Sequence, residues 1–361
     1  VTAEVTPHHL TLTEDDIKKL LELMGATFYY EDDDMWITDT ICHHGTKPKL
    51  YFYKDSMSFH CYTECGQLDI IGVVMGYKGY EQEEFQKAIN WISVKLNLDN
   101  HVYGFGKQEQ ISDWEFIKKY KKNKKVKPKD KILVPYDKNV LNIFQHFYYQ
   151  SWIEEGISVE TMKKYNILYS TWQQKIIIPH YDMNNNLIGV RSRALLPDDI
   201  ELFGKYAPFK IGNKFYNHSL GLNLFGLNHN INAIQKKRKI MLVEAEKSVF
   251  QTDTMFGEDN FTVALCGSNL TDYQKGIILM LGVREVIIAL DKQYQTLDSD
   301  ECKNWSQHIK DKIIDKLSPF VSVSVLWDST NLLGYKDSPT DRGKETLLKL
   351  MENKIYVGTN Q

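Results

Sequence analysis

Two short apolar runs, IMLV at 240–243 and VIIAL at 286–290, each stop abruptly at a carboxylate, Glu244 and Asp291. Runs of this length, rich in β-branched residues and closed by charge, predict strands buried on both faces of a parallel sheet. Between them come a helical stretch at 246–255, a third short strand at 261–266, a Gly-Ser-Asn turn and a second helical stretch at 271–281. That order is β-α-β-α-β. In such sheets ligands gather at the carboxyl ends of the strands, where Glu244 and Asp291 fall.

The rest of the chain is patterned less uniformly. At 10–24, Ile17, Leu20, Leu21 and Met24 share one helical face behind Thr13 and Asp16, which are spaced as a capping box. Polar–apolar alternation predicts strands at 49–54 and 58–63 around a Lys-Asp-Ser-Met turn. A second pair, at 175–181 and 187–194, flanks an Asn-rich turn. Residues 136–170 read as helical and aromatic. A long helix is expected over 298–320, a strand at 321–327 ending at Asp328, and a last helix over 344–353 with Leu347, Leu348 and Met351 toward a core.

Composition narrows the class. A chain of 361 residues has room for two or three domains. No apolar run approaches the roughly 18 residues of a membrane span, and Val1 opens no signal-peptide pattern, so no membrane role is expected. Five cysteines, an odd number without a secretory signal, predict a reducing cytoplasm rather than a disulfide framework. The net charge of −3 excludes a uniformly basic surface, but nine of the fourteen residues at 118–131 are lysines. Such a block predicts a linker that would also attract a phosphate backbone.

Three kinds of chemistry are suggested. Cys42, Cys61 and Cys65 fall within 24 residues, on and around the two alternating strands. Two ligand pairs carried by a hairpin are the layout of a zinc ribbon, with His44 expected as the fourth ligand and His43 as its alternative. A plain hairpin with incidental cysteines is the competing reading. Glu244 and Asp291 would repel each other unless neutralised, and oxygen donors suit Mg²⁺ or Mn²⁺; otherwise they are solvated strand-end acids. Arg191 and Arg193 share a face of their strand, where an exposed pair can clamp phosphates, or simply line a solvated edge.

The words around these residues carry a resemblance. VEAEKSV, ALCGSNLT and IIALDKQ, in this order, resemble the TOPRIM domain shared by DnaG-type primases, topoisomerases and some nucleases. Glu244 matches that family's glutamate and Asp291 the first aspartate of its Asp-x-Asp pair. Gln293 stands in place of the second, and Ser248 where primases often carry a further aspartate. The 42–65 block and the CGQLDIIGVVMGY continuation are similar to the Cys-His-Cys-Cys zinc-binding domain at the start of DnaG-type primases. KIIIPHYD, LIGVRSRAL, GKYAPFKIGNKF and LNLFGLNHN follow the primase core in its order, and KDSPTDRGKE resembles its last acidic segment. Asp337 matches the first acid of that segment, and Asp341 could replace the second.

The resemblance implies a DnaG-type primase, of a phage or mobile element. Its fold class would be α/β, α+β in part: a zinc-ribbon-like N-terminal domain followed by a catalytic core with a TOPRIM domain. The expected domains are zinc-binding at 1–110, linker at 111–131, the basic first part of the core at 132–235, TOPRIM at 236–335 and a helical segment at 336–361. The family's helicase-binding domain is expected to be absent. The implied activity is template-directed synthesis of short RNA primers on single-stranded DNA from nucleoside triphosphates, beside a replicative helicase. Structural Zn²⁺ would sit on Cys42, His44, Cys61 and Cys65. Catalytic Mg²⁺ or Mn²⁺ would sit on Glu244, Asp291, Gln293 and Asp337, with fewer or weaker ions than usual. Arg191, Arg193, Lys205, Lys210 and Lys214 would form a basic ridge for template and nucleotide. Two other readings are a TOPRIM nuclease and a non-catalytic DNA-binding replication module.

Overall fold

The protein is described here by a computed structural model covering residues 12–97 and 133–357. The expected linker at 111–131 lies outside the described residues. Contacts divide the chain into two compact units, Val1–Val126 with Pro197–Gly204, and Lys127–Leu196 with Lys205–Gln361.

In the first unit, helix Glu14–Leu23 begins where the sequence predicts. The Thr13 hydroxyl accepts from the Asp16 N–H, and the Asp16 carboxylate accepts from the Thr13 N–H. Five strands follow, β1 (Phe28–Glu31), β2 (Met35–Thr38), β3 (Leu50–Tyr53), β4 (Ser58–Cys61) and β5 (Gly66–Leu68), in an antiparallel meander. Alternation puts Trp36, Phe52 and Phe59 on one face, with ring centroids 4.7 and 4.8 Å apart in sequence, and that face is the core. Helices Ile70–Lys78 and Phe85–Leu96 supply the other side of it. The first of them passes so near the Cys42 backbone that a Cβ at Gly76 would lie 2.0 Å from the Cys42 carbonyl oxygen; only glycine fits there. Helix Pro197–Phe203 belongs to this unit, with Phe203 edge-on to Tyr30 at 5.0 Å.

The second unit holds two sheets and a small hairpin. Strands β6 (Leu168–Ser170), β7 (Lys175–Tyr181), β8 (Leu187–Ala194) and β9 (Tyr206–Pro208) form an antiparallel sheet, followed by the hairpin of β10 (Lys210–Ile211) and β11 (Lys214–Phe215). The larger sheet contains β12 (Lys239–Val243), β13 (Thr262–Ala264), β14 (Glu285–Ala289), β15 (Ser322–Val325) and β16 (Ile355–Val357), in the order β13-β12-β14-β15-β16. The first four run parallel and β16 antiparallel. Helices Glu246–Phe256 and Asp272–Met280 make the crossovers. Ile240, Leu242, Val263, Val286 and Ile288 are fully buried, as strands covered on both faces require. The fold is α/β with antiparallel α+β portions, and the β-α-β-α-β order is present.

Two expectations change. Residues 136–170 are not mainly helical: a 3₁₀ segment at Lys138–Ile143, two short helices at Gln150–Glu154 and Val159–Lys164, and β6 occupy them. The cause is that Leu141 and Phe144 anchor in one core cluster while Trp152, Met162 and Tyr165 anchor in another. No single straight helix reaches both. The long helix also breaks its register, α-helical over Asp300–Ile309 and π-helical over Lys310–Ile314. The extra residue of a π turn keeps Ile309, Ile313, Ile314 and Leu317 all buried. Among the described residues, no helix is long and apolar enough to cross a membrane.

Candidate metal centres and active site

The first unit gathers one set of soft donors. Cys42 lies in the 3₁₀ turn Ile41–His43, Cys61 ends β4, and Cys65 sits in the turn before β5. Ligand atoms of Cys42, His43, Cys61 and Cys65 all lie within 4.8 Å of one another. A tetrahedral zinc with sulfur ligands at 2.3 Å has edges of roughly 3.8 Å, so this set needs only a slight contraction to enclose an ion. The fourth member is His43, not the expected His44. His44 adopts a left-handed backbone, φ +58°, and its ring lies 5.8 Å from that of Tyr77. The chain turns at His44, and the ring ahead of the turn joins the thiols.

The thiols differ electrically. Burial and the neighbouring Cys65 push Cys42 up, and burial does the same to Cys65. Burial acts on Cys61 as well, but the Thr63 hydroxyl and the backbone N–H groups of Cys65, Glu64 and Thr63 outweigh it and bring this thiol down to about 6. A thiolate caged by N–H donors is the form a metal takes.

The second centre forms at the carboxyl edge of the parallel sheet. Val243 and Ala289 are in register as the last pair of β12 and β14, and Glu244 and Asp291 follow within two residues, near enough for the Glu244 charge to act on Asp291. Glu244 Oε2 and Asp291 Oδ1 are buried with no hydrogen-bond partner among the described residues. Burial raises Glu244. Burial, Glu244 and Asp341 together push Asp291 up to about 7. Two buried oxygens lacking donors, on acids that resist ionisation together, are what a hard divalent cation would satisfy, so these residues fit Mg²⁺ or Mn²⁺.

The loop at 334–341 contributes differently from expectation. Asp337 turns its carboxylate to local partners, accepting from the Gly334 N–H at 2.8 Å and from Arg342 Nε at 2.6 Å. Its backbone, rather than its side chain, joins the centre: the Lys292 N–H donates to the Asp337 carbonyl. Lys292 itself is buried, its ammonium bonded to Asp328, Asn331 and the Leu333 carbonyl. Asp341 is the acid whose charge reaches Asp291. Asp341 accepts from Lys247 at 2.8 Å, from Gln251 at 3.1 Å and from the Ser338 N–H at 2.9 Å. Ser248 lies in a hydroxyl network, 2.9 Å from Ser338, and supplies no charge. Gln293 is half-buried beside Lys292.

The basic candidates separate into three groups. Arg191 is not an exposed clamp: only 11% of its side chain is accessible, and Nη1 lies 2.9 Å from the buried Glu246 carboxylate. Alternation along β8 fixed its face but not what packs there, which is helix Glu246–Phe256. Arg191 and His180 outweigh burial and bring Glu246 down to about 2. His180 Nε2 is 3.1 Å from the same oxygen, and His218 Nε2 is 3.0 Å from His180 Nδ1. Arg193 donates to the Tyr206 hydroxyl at 2.9 Å and lies over the Tyr206 and Trp152 rings. Lys205 is exposed as a residue, but partial desolvation of its ammonium and the nearby charges of Arg193 and Lys247 pull it down. Lys210 and Lys214 sit on the β10–β11 hairpin against aromatic rings, and Lys214 is exposed. Lys247, which from the sequence could either help hold the triphosphate or merely cap its strand, instead pairs with Glu155 and Asp341.

No family model matches the chain. It is 37% identical over 376 residues to the SPbeta prophage-derived uncharacterized protein YorJ of Bacillus subtilis strain 168, across 97% of both chains. Among solved structures, the zinc-binding and RNA polymerase domains of Aquifex aeolicus primase align with 95% of this chain and 84% of theirs, at 18% identity and a TM-score of 0.47. The RNA polymerase domain of Mycobacterium tuberculosis primase DnaG aligns with 57% of this chain and 75% of its own, at 14% identity and a TM-score of 0.43.

Proposed function

We propose that this chain, which belongs to the family of the SPbeta prophage-derived protein YorJ, is a DnaG-type DNA primase that makes short RNA primers on single-stranded DNA. The observation that carries the reading is the pair of buried, unpartnered carboxylate oxygens on Glu244 and Asp291 at the edge of a β-α-β-α-β sheet. The primase-like motifs that precede and follow this pair in order add to it. A divalent cation held there would lower the pKa of a primer 3′-hydroxyl and offset charge on the attacked phosphate. The protein's part is to position: Arg193 and Lys205 attract the triphosphate, and the buried Arg191–Glu246 pair stiffens the floor beneath them.

Cys42, His43, Cys61 and Cys65 hold a structural zinc in this reading, in a unit that meets template DNA. The partners are single-stranded template, nucleoside triphosphates and a replicative helicase, in the cytoplasm of a host cell carrying a phage or mobile element. Ser248 and Gln293, neutral where the resemblance places acids, favour one second reading: a DNA-binding replication module without catalysis. Incubation of labelled nucleotides with single-stranded DNA and Mg²⁺ or Mn²⁺ separates the two. Short, metal-dependent RNA that disappears in Glu244→Gln supports the primase; DNA binding without product supports the module.

A further inference from the structure

The carboxylates at the sheet edge divide into two unlike halves. Glu244 and Asp291 each keep a buried oxygen with no hydrogen-bond partner among the described residues. Asp341 has none to spare: Oδ1 takes Lys247 at 2.8 Å and Gln251 at 3.1 Å, and Oδ2 takes the Ser338 N–H at 2.9 Å. The same Lys247 ammonium lies 2.7 Å from Glu155 Oε2. A positive charge is thus already seated between two carboxylates, near enough to act on Asp291.

The surroundings favour that division. Lys247 is 18% exposed and opens helix Glu246–Phe256, so its stem is anchored by the sheet-to-helix turn. Ser248, the next residue, spends its hydroxyl on Ser338, and Ser338 lies 3.2 Å from Thr340, whose hydroxyl donates to Gln251 Oε1 at 2.6 Å. These bonds hold the 338–341 loop so that Asp341 faces the ammonium rather than solvent. Among the described residues, neither Asp337 nor Asp341 forms with Glu244 and Asp291 a group as tight as the 4.8 Å thiol cluster.

We propose that Lys247 is a built-in cation of this site, its ammonium occupying the Asp341–Glu155 position, so that the acid centre takes one divalent ion rather than two. The ion belongs to Glu244 and Asp291. The ammonium offsets the charge of Asp341 and occupies the position between Asp341 and Glu155 that a second dication would need. This inference rests on the assignment of Glu244 and Asp291 to a divalent ion in the primase reading.

The test counts Mn²⁺ bound to zinc-saturated full-length protein, following free Mn²⁺ by its paramagnetic resonance. Expected are one ion on the wild type, one on Lys247→Arg, and a second, weaker ion gained by Lys247→Met. Asp341→Asn is expected to keep the single ion, and Asp291→Asn to lose it. Two ions on the wild type overturn the inference while leaving the metal-dependent reading intact. A folded Lys247→Met that still binds one ion also overturns it. Should Lys247→Met not fold, Asp341→Asn decides: a single ion retained supports the inference, and a loss of binding defeats it. No Mn²⁺ on the wild type removes the acid-centre reading itself, and the inference with it.

Discussion

The thiol cluster and the acid pair are two answers to one problem, how to hold several would-be anions close together inside a protein. In the first unit the polypeptide itself supplies the compensation. N–H donors and a hydroxyl surround Cys61 and bring it down to about 6, so one thiolate exists before any ion arrives. In the second unit compensation is outweighed by burial. Glu244 Oε2 and Asp291 Oδ1 are buried without donors, and Asp291 is pushed up to about 7. A pre-ionised site favours a permanent, structural ion. A site that resists ionisation must release a proton before it takes an ion, so its affinity falls as pH falls. Two residues from Glu244 the contrast recurs on a smaller scale, since Glu246, paired with Arg191, is held near 2.

The largest expected effect breaks the thiol side. Cys61→Ser should abolish bound zinc and unfold the first unit, because structural zinc in small folds is worth about 10–16 kcal/mol of apparent binding free energy. Elemental analysis and limited proteolysis would check this, with cleavage confined to the N-terminal unit. Next comes Arg191→Met, which strands Glu246, 2% exposed, without its cation. Removing one partner of a buried pair costs about 3–5 kcal/mol, to be read from urea unfolding.

The pH dependence sharpens the contrast between carboxylates. Asp291 has a folded pKa of about 7, above its ordinary 3.8. In ion-free protein its stabilising, protonated form is complete below pH ~4 and is lost as pH rises toward ~7. Thermal midpoints should therefore fall across that window, and Asp291→Asn should flatten the curve. Glu246 has the opposite sign: the stability from its ionised form is present above its ordinary 4.5 and is lost as pH falls toward about 2. The smallest effect lies far from both centres. Thr13→Ala removes the cap of helix Glu14–Leu23 and should cost ~1 kcal/mol, with zinc content unchanged.

The sequence was most legible where a local rule has no competitor. Apolar runs closed by charge located β12 and β14 and put Glu244 and Asp291 at their ends, because a strand buried on both faces tolerates little else. The Thr13–Asp16 box was equally local. Legibility failed where the answer depends on a second element. Alternation set the face of Arg191 but could not show Glu246 opposite it. Adjacent histidines offered no basis for choosing His43 over His44, since the choice is made by a left-handed turn. Asp337 matched a motif, yet Arg342 and the Gly334 N–H claim its carboxylate, and Asp341 faces the centre in its stead. Lys247 lies inside the VEAEKSV motif, but its pairing appears only when Glu155, 92 positions earlier, is brought beside Asp341.

The measurement that bears most directly on the whole account follows zinc content and primer yield together on wild type and Glu244→Gln. The expected result is full zinc in both proteins, metal-dependent primers from the wild type and none from the variant. Primers made equally well by a folded, zinc-replete Glu244→Gln would contradict it.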